Sequence, residues 1–325
     1  MIKSCLRYIA FVFVLLSAPI TFVSAHVKWF AHEQGYVEPY HVSDLPVILS
    51  IIAGIIIVAI GVILDRRLSI PQWLKRLLER IAPAVLSVAS IGFGLAFIIF
   101  SYLGFVFAPN LVAQGSIGTL LIVIQAIAGA MIFFGWYERV GGLLLVVLFG
   151  LGTKIFGFHE MMDTFEMLGF ALYAMIIGRP KWKIAESTFM CTHMHKIHQY
   201  GVSLLRVGTG INLIILGFSE KILAPALTQD FLLKYDWNFM HAWGFTWFTD
   251  YWFAYAAGFG EMMFGVFLLL GLVTRLTIVG LAVFLVTTLI LLGPIELVGH
   301  LPHFSIAAVL LIFGAGSRLH HRRVA

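Results

Sequence analysis

The chain alternates long apolar runs with short polar segments, and the runs have about the length that a membrane-spanning helix needs. A bilayer's hydrocarbon core takes roughly 17 to 25 apolar residues. The pattern therefore predicts an all-α polytopic membrane protein with about nine transmembrane helices. The nine runs lie near residues 45–64, 83–107, 117–136, 140–157, 163–178, 200–218, 252–272, 276–293 and 301–316.

Polar and glycine positions recur along the chain at a fixed offset, which indicates an internal duplication. The matches upstream have a shorter offset, so the second copy carries 20 extra residues after its first helix. Four helices per copy return the chain to its starting side, which predicts two parallel four-helix repeats beside one extra helix. The matched pairs are Gln125 with Glu261, Gly129 with Gly265, Gly135 with Gly271, Arg139 with Arg275, Glu160 with Glu296, Gly178 with Gly314, Gly94 with Gly210, and Pro109 with Pro225.

A leader precedes the apolar runs, since Lys3 and Arg7 come before an apolar stretch that ends in Val23-Ser24-Ala25. Small residues at such a position are typical of a signal-peptidase site. The predicted division of the chain follows from the leader and the repeats. It comprises a signal peptide at 1–25, an outer segment, first helix and basic cytoplasmic connector at 26–82, a degenerate first repeat at 83–180, a cytoplasmic linker at 181–199, a second repeat at 200–318 and a basic tail at 319–325.

Composition and charge agree with a membrane location. Hydrophobic residues make up 61% of the chain, charged residues 11%, and the mean hydropathy is +0.98, which excludes a soluble globule. Fourteen basic residues fall on one predicted side between the helices and three on the other. By the positive-inside rule the amino-terminal segment lies outside and the carboxyl terminus in the cytoplasm of a bacterial-type inner membrane. The basic pI therefore reflects topology, and no nucleic-acid partner is expected.

Two motifs resemble a known family. The first is Arg206, Gly210, Gly217 and Lys221 on one helix, and the second is Glu261, Gly265, Gly271 and Arg275 around the next. Together they are similar to the DoxX and DoxD-type membrane proteins, over about 200–316 closely and over 85–180 weakly. The resemblance implies a membrane redox system, such as the small subunit of a thiosulfate:quinone oxidoreductase, while more distant relatives resemble assembly or cargo-handling factors.

Charged residues inside the second repeat are candidates for function, because an uncompensated charge in a membrane costs at least about 2.5 to 3.5 kcal/mol. The first copy has Ser90 in place of Arg206 and Gln125 in place of Glu261. Their joint replacement predicts a buried pair of Arg206 with Glu261, which either locks two helices together or relays protons. Glu220 and Lys221 are likewise replaced together, by Gly104 and Phe105.

A second candidate site lies on the predicted outer side. Glu296, His300 and His303 have helical spacing, and cleavage of the leader would expose His26 as the amino terminus. The first copy has His159 and Glu160 in the matching stretch. Imidazole with carboxylate suits proton transfer, hydrogen bonding to a quinol, or copper, iron or zinc held by His26, His300 and His303. The alternative is ordinary interfacial residues.

Three classes of function remain. The first is an accessory subunit, catalytic or non-catalytic, of a quinone-linked redox system, with a membrane or periplasmic protein as partner. The second is an assembly, scaffold or metal-handling factor that uses the outer site. The third is a small-solute transporter. A dithiol oxidoreductase is excluded, because the chain has only Cys5, in the leader, and Cys191.

Overall fold

The computed structural model describes residues 37–178, 200–293 and 295–316, and almost all of this part is helical. One two-stranded hairpin and one π-helical segment, Gly217–Leu223, interrupt the α-helices there. The elements are α1 (Leu45–Arg67), α2 (Gln72–Tyr102), β1 (Phe105–Val106), β2 (Ala108–Val112), α3 (Gly115–Phe134), α4 (Glu138–Ile155), α5 (Phe158–Met162), α6 (Phe165–Ile177), α7 (Gly201–Leu216), α8 (Pro225–Tyr235), α9 (Phe239–Ala242), α10 (Asp250–Leu270), α11 (Thr274–Leu292) and α12 (Ile295–Phe313).

The predicted all-α polytopic membrane fold is confirmed. Five helices among the described residues are long and apolar enough to cross a membrane, namely α1, α2, α3, α10, and α7 with its π-helical continuation. Shorter apolar helices lie in α6, α11 and α12. Each of the nine predicted runs overlaps a helix, while the number of spans stays a prediction.

The β1–β2 hairpin was not predicted, since the second apolar run was expected to stay helical to residue 107. The helix ends at Tyr102 because Gly104 adopts a φ of +84°, which breaks the helical path. The strands then pair antiparallel. We name the end of the bundle with this hairpin, α5, α8 and α9 the hairpin end, and the opposite end, where α1 connects to α2, the connector end.

The two repeats have the same type of turn at the connector end. α3 ends at Gly135 and α10 ends at Gly271, and both glycines have φ 69° and ψ 28°. In each turn the next residue's N–H reaches back to a carbonyl five residues earlier, at 2.9 Å, which completes a Schellman motif. The recurring glycine is thus a backbone requirement, because an L side chain is strained at this φ.

Close helix approach explains the other recurring glycines. A Cβ on Gly210 would lie 2.8 Å from the carbonyl oxygen of Gly265, and a Cβ on Gly265 would lie 2.6 Å from that of Gly210. Between α2 and α3, a Cβ on Gly129 would lie 3.0 Å from the carbonyl oxygen of Gly94, and a Cβ on Gly94 would meet the backbone of Phe133. Small residues at these positions let the backbones touch, which favours helix association in membranes.

The arginine that recurs at the start of the third helix of each repeat, and the glycine that recurs after the fourth, also have a structural role. Arg275 at the start of α11 donates from Nε to the carbonyl of Leu311 at 2.9 Å and from Nη2 to that of Ile312 at 2.8 Å. These carbonyls end α12 and have no helical partner. Gly314 makes room for the guanidinium, as Gly178 does for Arg139 in the first half.

The two halves interlock through four helices. α2 packs against α12, and α6 packs against α7, so the first helix of each predicted unit meets the last helix of the other. Phenylalanines fill the first half, where Phe93 stacks on Phe170 and Phe97 meets Phe107 edge to face. These helix contacts bring polar residues of both halves within reach of each other at the hairpin end.

The extra helix α1 lies at the periphery against α10. Gly54 and Gly61 face the rings of Phe259 and Phe267, while the opposite face is apolar and exposed. Just before α1, the Tyr40 hydroxyl donates to the Tyr251 carbonyl at 2.6 Å. Burial and the neighbouring Tyr251 raise the pKa of the Tyr40 phenol, which therefore stays a protonated donor.

Substituting Gly265 by Ala should destabilise the protein by about 1 to 3 kcal/mol, because the new methyl group meets the backbone of α7. Gly260→Ala, in the same helix, is the matched control, since no heavy atom lies within 4 Å of its Cβ position. Thermal unfolding of the purified protein in one mild detergent measures both variants. Equal midpoints for the two variants would contradict close packing at Gly265.

Candidate functional site

The π-helical segment carries two buried charged residues, Glu220 and Lys221, at the hairpin end of α7. A π-helical turn holds an extra residue, and such turns occur frequently at functional sites. Gly217 and Gly258 allow the segment to lie against α10, since a Cβ on Gly258 would be 2.9 Å from the carbonyl oxygen of Gly217. The wide turn thereby directs Lys221 towards α10.

Lys221 forms an ion pair with Glu261. Its Nζ lies 2.6 Å from Glu261 Oε2, and the side chains are only 12% and 21% exposed. A charge-assisted hydrogen bond of this length is among the stronger polar contacts in proteins. The neighbouring Glu220, itself buried, adds a second negative charge that acts on the ammonium group.

The predicted pairing of Arg206 with Glu261 is wrong, because the structure gives each residue another partner. Arg206 contacts the carbonyl oxygen of Leu268 and donates to those of Leu269 at 2.9 Å and Ala315 at 3.1 Å. Leu268 lies seven residues after Glu261, or about 10 Å along the helix. The guanidinium therefore binds the carbonyls at the end of α10, where the helix dipole favours a cation.

The first half shows what replaces these charges. Gln125, at the position of Glu261, is fully buried and receives the N–H of Phe107 at 2.8 Å while donating to the carbonyl of Phe105 at 3.0 Å. Ser90, at the position of Arg206, donates to Glu138 at 2.8 Å. The neutral hydrogen bonds of Gln125 stand where the second half has the Lys221–Glu261 pair, so that pair is not a requirement of this architecture.

A second polar contact joins the two halves. His303 Nε2 in α12 lies 2.8 Å from Glu166 Oε1 in the first turn of α6, and Glu166 is 1% exposed. The ring of His300, one turn earlier, lies 5.3 Å from the His303 ring between centroids. Glu261 is also close enough for its charge to act on His303. We name Lys221, Glu261, Glu166, His303 and His300 the buried polar cluster.

One member of this cluster, and a second side chain on α7, have polar atoms that no described residue satisfies. Glu166 Oε2 is buried without a hydrogen-bond partner, and so are both amide atoms of Asn212, which is fully buried. Asn212 lies one turn beyond Gly208, whose own neighbours are Gly169 and the Phe165 carbonyl of α6. Buried polar atoms are rarely left without a partner, so this region suits a bound polar group or water.

The predicted outer site is only partly brought together. His300 and His303 turn into the bundle, whereas His159 is exposed and Glu160 accepts a hydrogen bond from Asn110 at 3.3 Å on the rim. Glu296 lies in the first turn of α12, and His26 lies outside the described residues. Among the residues that the structure describes, no three His, Cys, Asp or Glu side chains are grouped to hold a metal ion.

The sequence identified the charged residues of the second half but not the partners of Arg206 and Glu261. The joint replacement of Lys221 by Phe105 and Glu261 by Gln125 is the signal that could have paired Lys221 with Glu261. Glu166 lies at helical spacing from Glu160 and Asp163 in the first copy's matching stretch, but no sequence signal pairs it with His303, which lies in the other repeat on a helix that is distant in sequence.

Replacing Lys221 by Met or Glu261 by Gln should each destabilise the protein by about 3 to 5 kcal/mol, because each change leaves a buried charge without its partner. The double variant should be more stable than either single variant. Thermal unfolding of all four proteins gives the coupling energy. In a control cycle, Lys234→Met, at an exposed site, should combine additively with Glu261→Gln, and additive losses in the main cycle would refute the coupling.

Residues 201–294 match the family model described as DoxX. The matched region covers just under a third of the chain and includes both members of the Lys221–Glu261 pair, but neither Glu166 nor His303. No curated protein and no solved structure gives a significant match. Residues 201–294 are thus similar to the DoxX family, and the long apolar helices make the chain an integral membrane protein.

Proposed function

We propose that the protein is an accessory subunit of a quinone-linked redox system and that the buried polar cluster binds the quinone headgroup. The observation that carries the proposal is that Glu166 Oε2 and both amide atoms of Asn212 are buried with no hydrogen-bond partner among the described residues, beside a histidine and an ion pair inside a membrane bundle. Burying such groups in a membrane interior costs free energy, so their presence there points to a function.

The first half supports this reading by comparison. Its helices pack with a neutral Gln125 where the second half has Glu261, and with Phe105 where the second half has Lys221. A role limited to holding helices together would be met at lower desolvation cost by such neutral residues. The charges therefore favour a role in binding or proton transfer.

The chemistry of the cluster suits a quinone. A quinone carries two carbonyl oxygens that accept hydrogen bonds, and its reduction to the quinol takes up two electrons and two protons. Lys221 Nζ carries three N–H groups, so it can donate to such an oxygen as well as to Glu261, and His303 Nε2 would transfer its donation from Glu166 to the bound oxygen. The carboxylates of Glu166 and Glu261 accept and return protons. The electrons would come from a redox partner protein.

The cluster's location suggests where that partner acts. Lys221 and Glu166 lie near the hairpin ends of their helices, and Glu261 and His303 lie close to the middle of theirs. In the proposed topology this end faces outward from a bacterial-type inner membrane, because Arg66, Arg67, Lys75, Arg76 and Arg80 lie at the opposite end. A periplasmic or membrane protein at the hairpin end would deliver electrons over the shortest path.

An assembly or scaffold role is the second candidate, and one observation favours it. Trp243 and Trp247, in the segment between α8 and α10, are 67% and 71% exposed. Exposed aromatic residues are typical anchors of protein interfaces. A metal-handling version of this role would use His26 and Glu296 together with His300, in a site that extends beyond the described side chains.

His303→Gln should reduce quinone bound to the protein by roughly 10- to 100-fold, since it removes a charge-assisted hydrogen bond of about 1.5 to 3 kcal/mol. The protein is purified in mild detergent from its parent membrane, and extracted quinone and bound metals are quantified per chain. His159→Gln is the matched control, because His159 is exposed at the rim. Stoichiometric copper or iron without quinone in the unchanged protein would overturn the proposal in favour of metal handling.

The proposed orientation is tested by labelling. In a Cys191→Ser background, a cysteine introduced as Trp243→Cys should react in intact cells with an impermeant thiol reagent. A cysteine introduced as Ser69→Cys, in the exposed connection between α1 and α2, should react only after lysis. The reverse pattern would place the hairpin end in the cytoplasm.

A further inference from the structure

The first turns of α2 extend beyond the packed part of the bundle. Residues 71–85 are exposed or partly exposed throughout, and Leu86 is the first buried residue of the helix. The 31 residues of α2 span about 46 Å, whereas the hydrocarbon core of a bilayer is about 30 Å thick. About ten residues at the start of α2 therefore lie at the level of the lipid headgroups.

This part of α2 is amphipathic. Trp73, Leu77 and Ile81 are spaced four apart and form an apolar stripe that is 67%, 46% and 37% exposed. Arg76 and Arg80 lie three residues after Trp73 and Leu77, so they border the stripe on the same side of the helix. Tryptophan and arginine at the edge of an apolar stripe are typical of a helix at the membrane interface.

The adjoining end of α1 adds to the positive charge. Arg66 and Arg67 end that helix, and the segment 65–81 contains five basic residues against Asp65 and Glu79. Asp65 is engaged, because its Oδ1 accepts the N–H of Val273 at 3.1 Å and so fixes α1 to the start of α11. The basic residues are thus held near one another where two helices leave the bilayer.

We propose that this surface binds anionic phospholipid headgroups of the surrounding leaflet. We name it the connector surface and define it as Arg66, Arg67, Trp73, Lys75, Arg76, Leu77, Arg80 and Ile81. A lipid is the occupant that fits both properties, since phosphate matches the basic residues and the start of the acyl chain matches the stripe. The surface is also continuous with the membrane-spanning part of α2, so the lipid is already adjacent.

The experiment measures which lipid surrounds Trp73. The full chain is placed in nanodiscs of phosphatidylcholine with phosphatidylglycerol, with bromine on the acyl chains of only one lipid at a time. The emission of Trp73 is the difference between the unchanged protein and Trp73→Phe. Brominated phosphatidylglycerol should quench this emission at least about fivefold more than brominated phosphatidylcholine at equal mole fraction, since each basic residue near an anionic surface contributes about a fivefold preference.

A charge variant tests the cause of the preference. Lys75→Gln, Arg76→Gln and Arg80→Gln together should bring the quenching ratio towards one, as should 1 M salt, where the Debye length falls to about 3 Å. Lys154→Gln with Lys234→Gln, at the hairpin end, should leave the ratio unchanged. Labelling at position 243 verifies that the variant keeps its orientation.

Two results would overturn the proposal. Equal quenching by both lipids in the unchanged protein means that the connector surface has no preference for anionic lipid. Absence of quenching by either lipid means that solvent or a partner protein surrounds Trp73. Neither result bears on quinone binding, because the connector surface lies at the opposite end from the buried polar cluster.

Discussion

The close approach of α7 and α10 across Gly210 and Gly265 sets the register on which the polar chemistry of this protein depends. Because the two helices are antiparallel and their backbones touch at these glycines, the glycine contact determines which side chains meet on either side of it. Towards the hairpin end Lys221 meets Glu261, and towards the connector end Arg206 meets the last carbonyls of α10. A shift of one turn, about 5.4 Å, would separate both contacts.

The two halves use one backbone plan with different chemistry. Gly135 and Gly271 have the same dihedral angles, and the glycines that allow close packing recur in both halves. Where the first half has Gln125 holding a hairpin, the second half has Glu261 holding a lysine on a π-helical turn. The same backbone plan thus accommodates a structural hydrogen bond in one half and an ion pair in the other.

Helix positions could be predicted from the sequence because membrane spans depend on local composition, which apolar runs display directly. The hairpin at 105–112 could not, since Gly104 ends the helix inside a run that is still apolar. The predicted pairing of Arg206 with Glu261 was wrong for a different reason. Arg206 is satisfied by main-chain carbonyls, which every sequence contains, so no replacement in the other copy could reveal that partner.

The contact of His303 with Glu166 makes the two halves of the chain depend on each other for one polar interaction. Glu166 lies outside the region that matches the DoxX family model, yet its carboxylate supplies the partner of a histidine in the second half. Because α6 packs against α7 and α2 against α12, the first half also holds this carboxylate at the centre of the bundle. A buried carboxylate beside a histidine is costly unless both are fixed, and the interlocked halves provide that fixation. The proposed headgroup site therefore takes residues from both halves of the chain, and the matched region alone would lack one of its proton-exchanging groups.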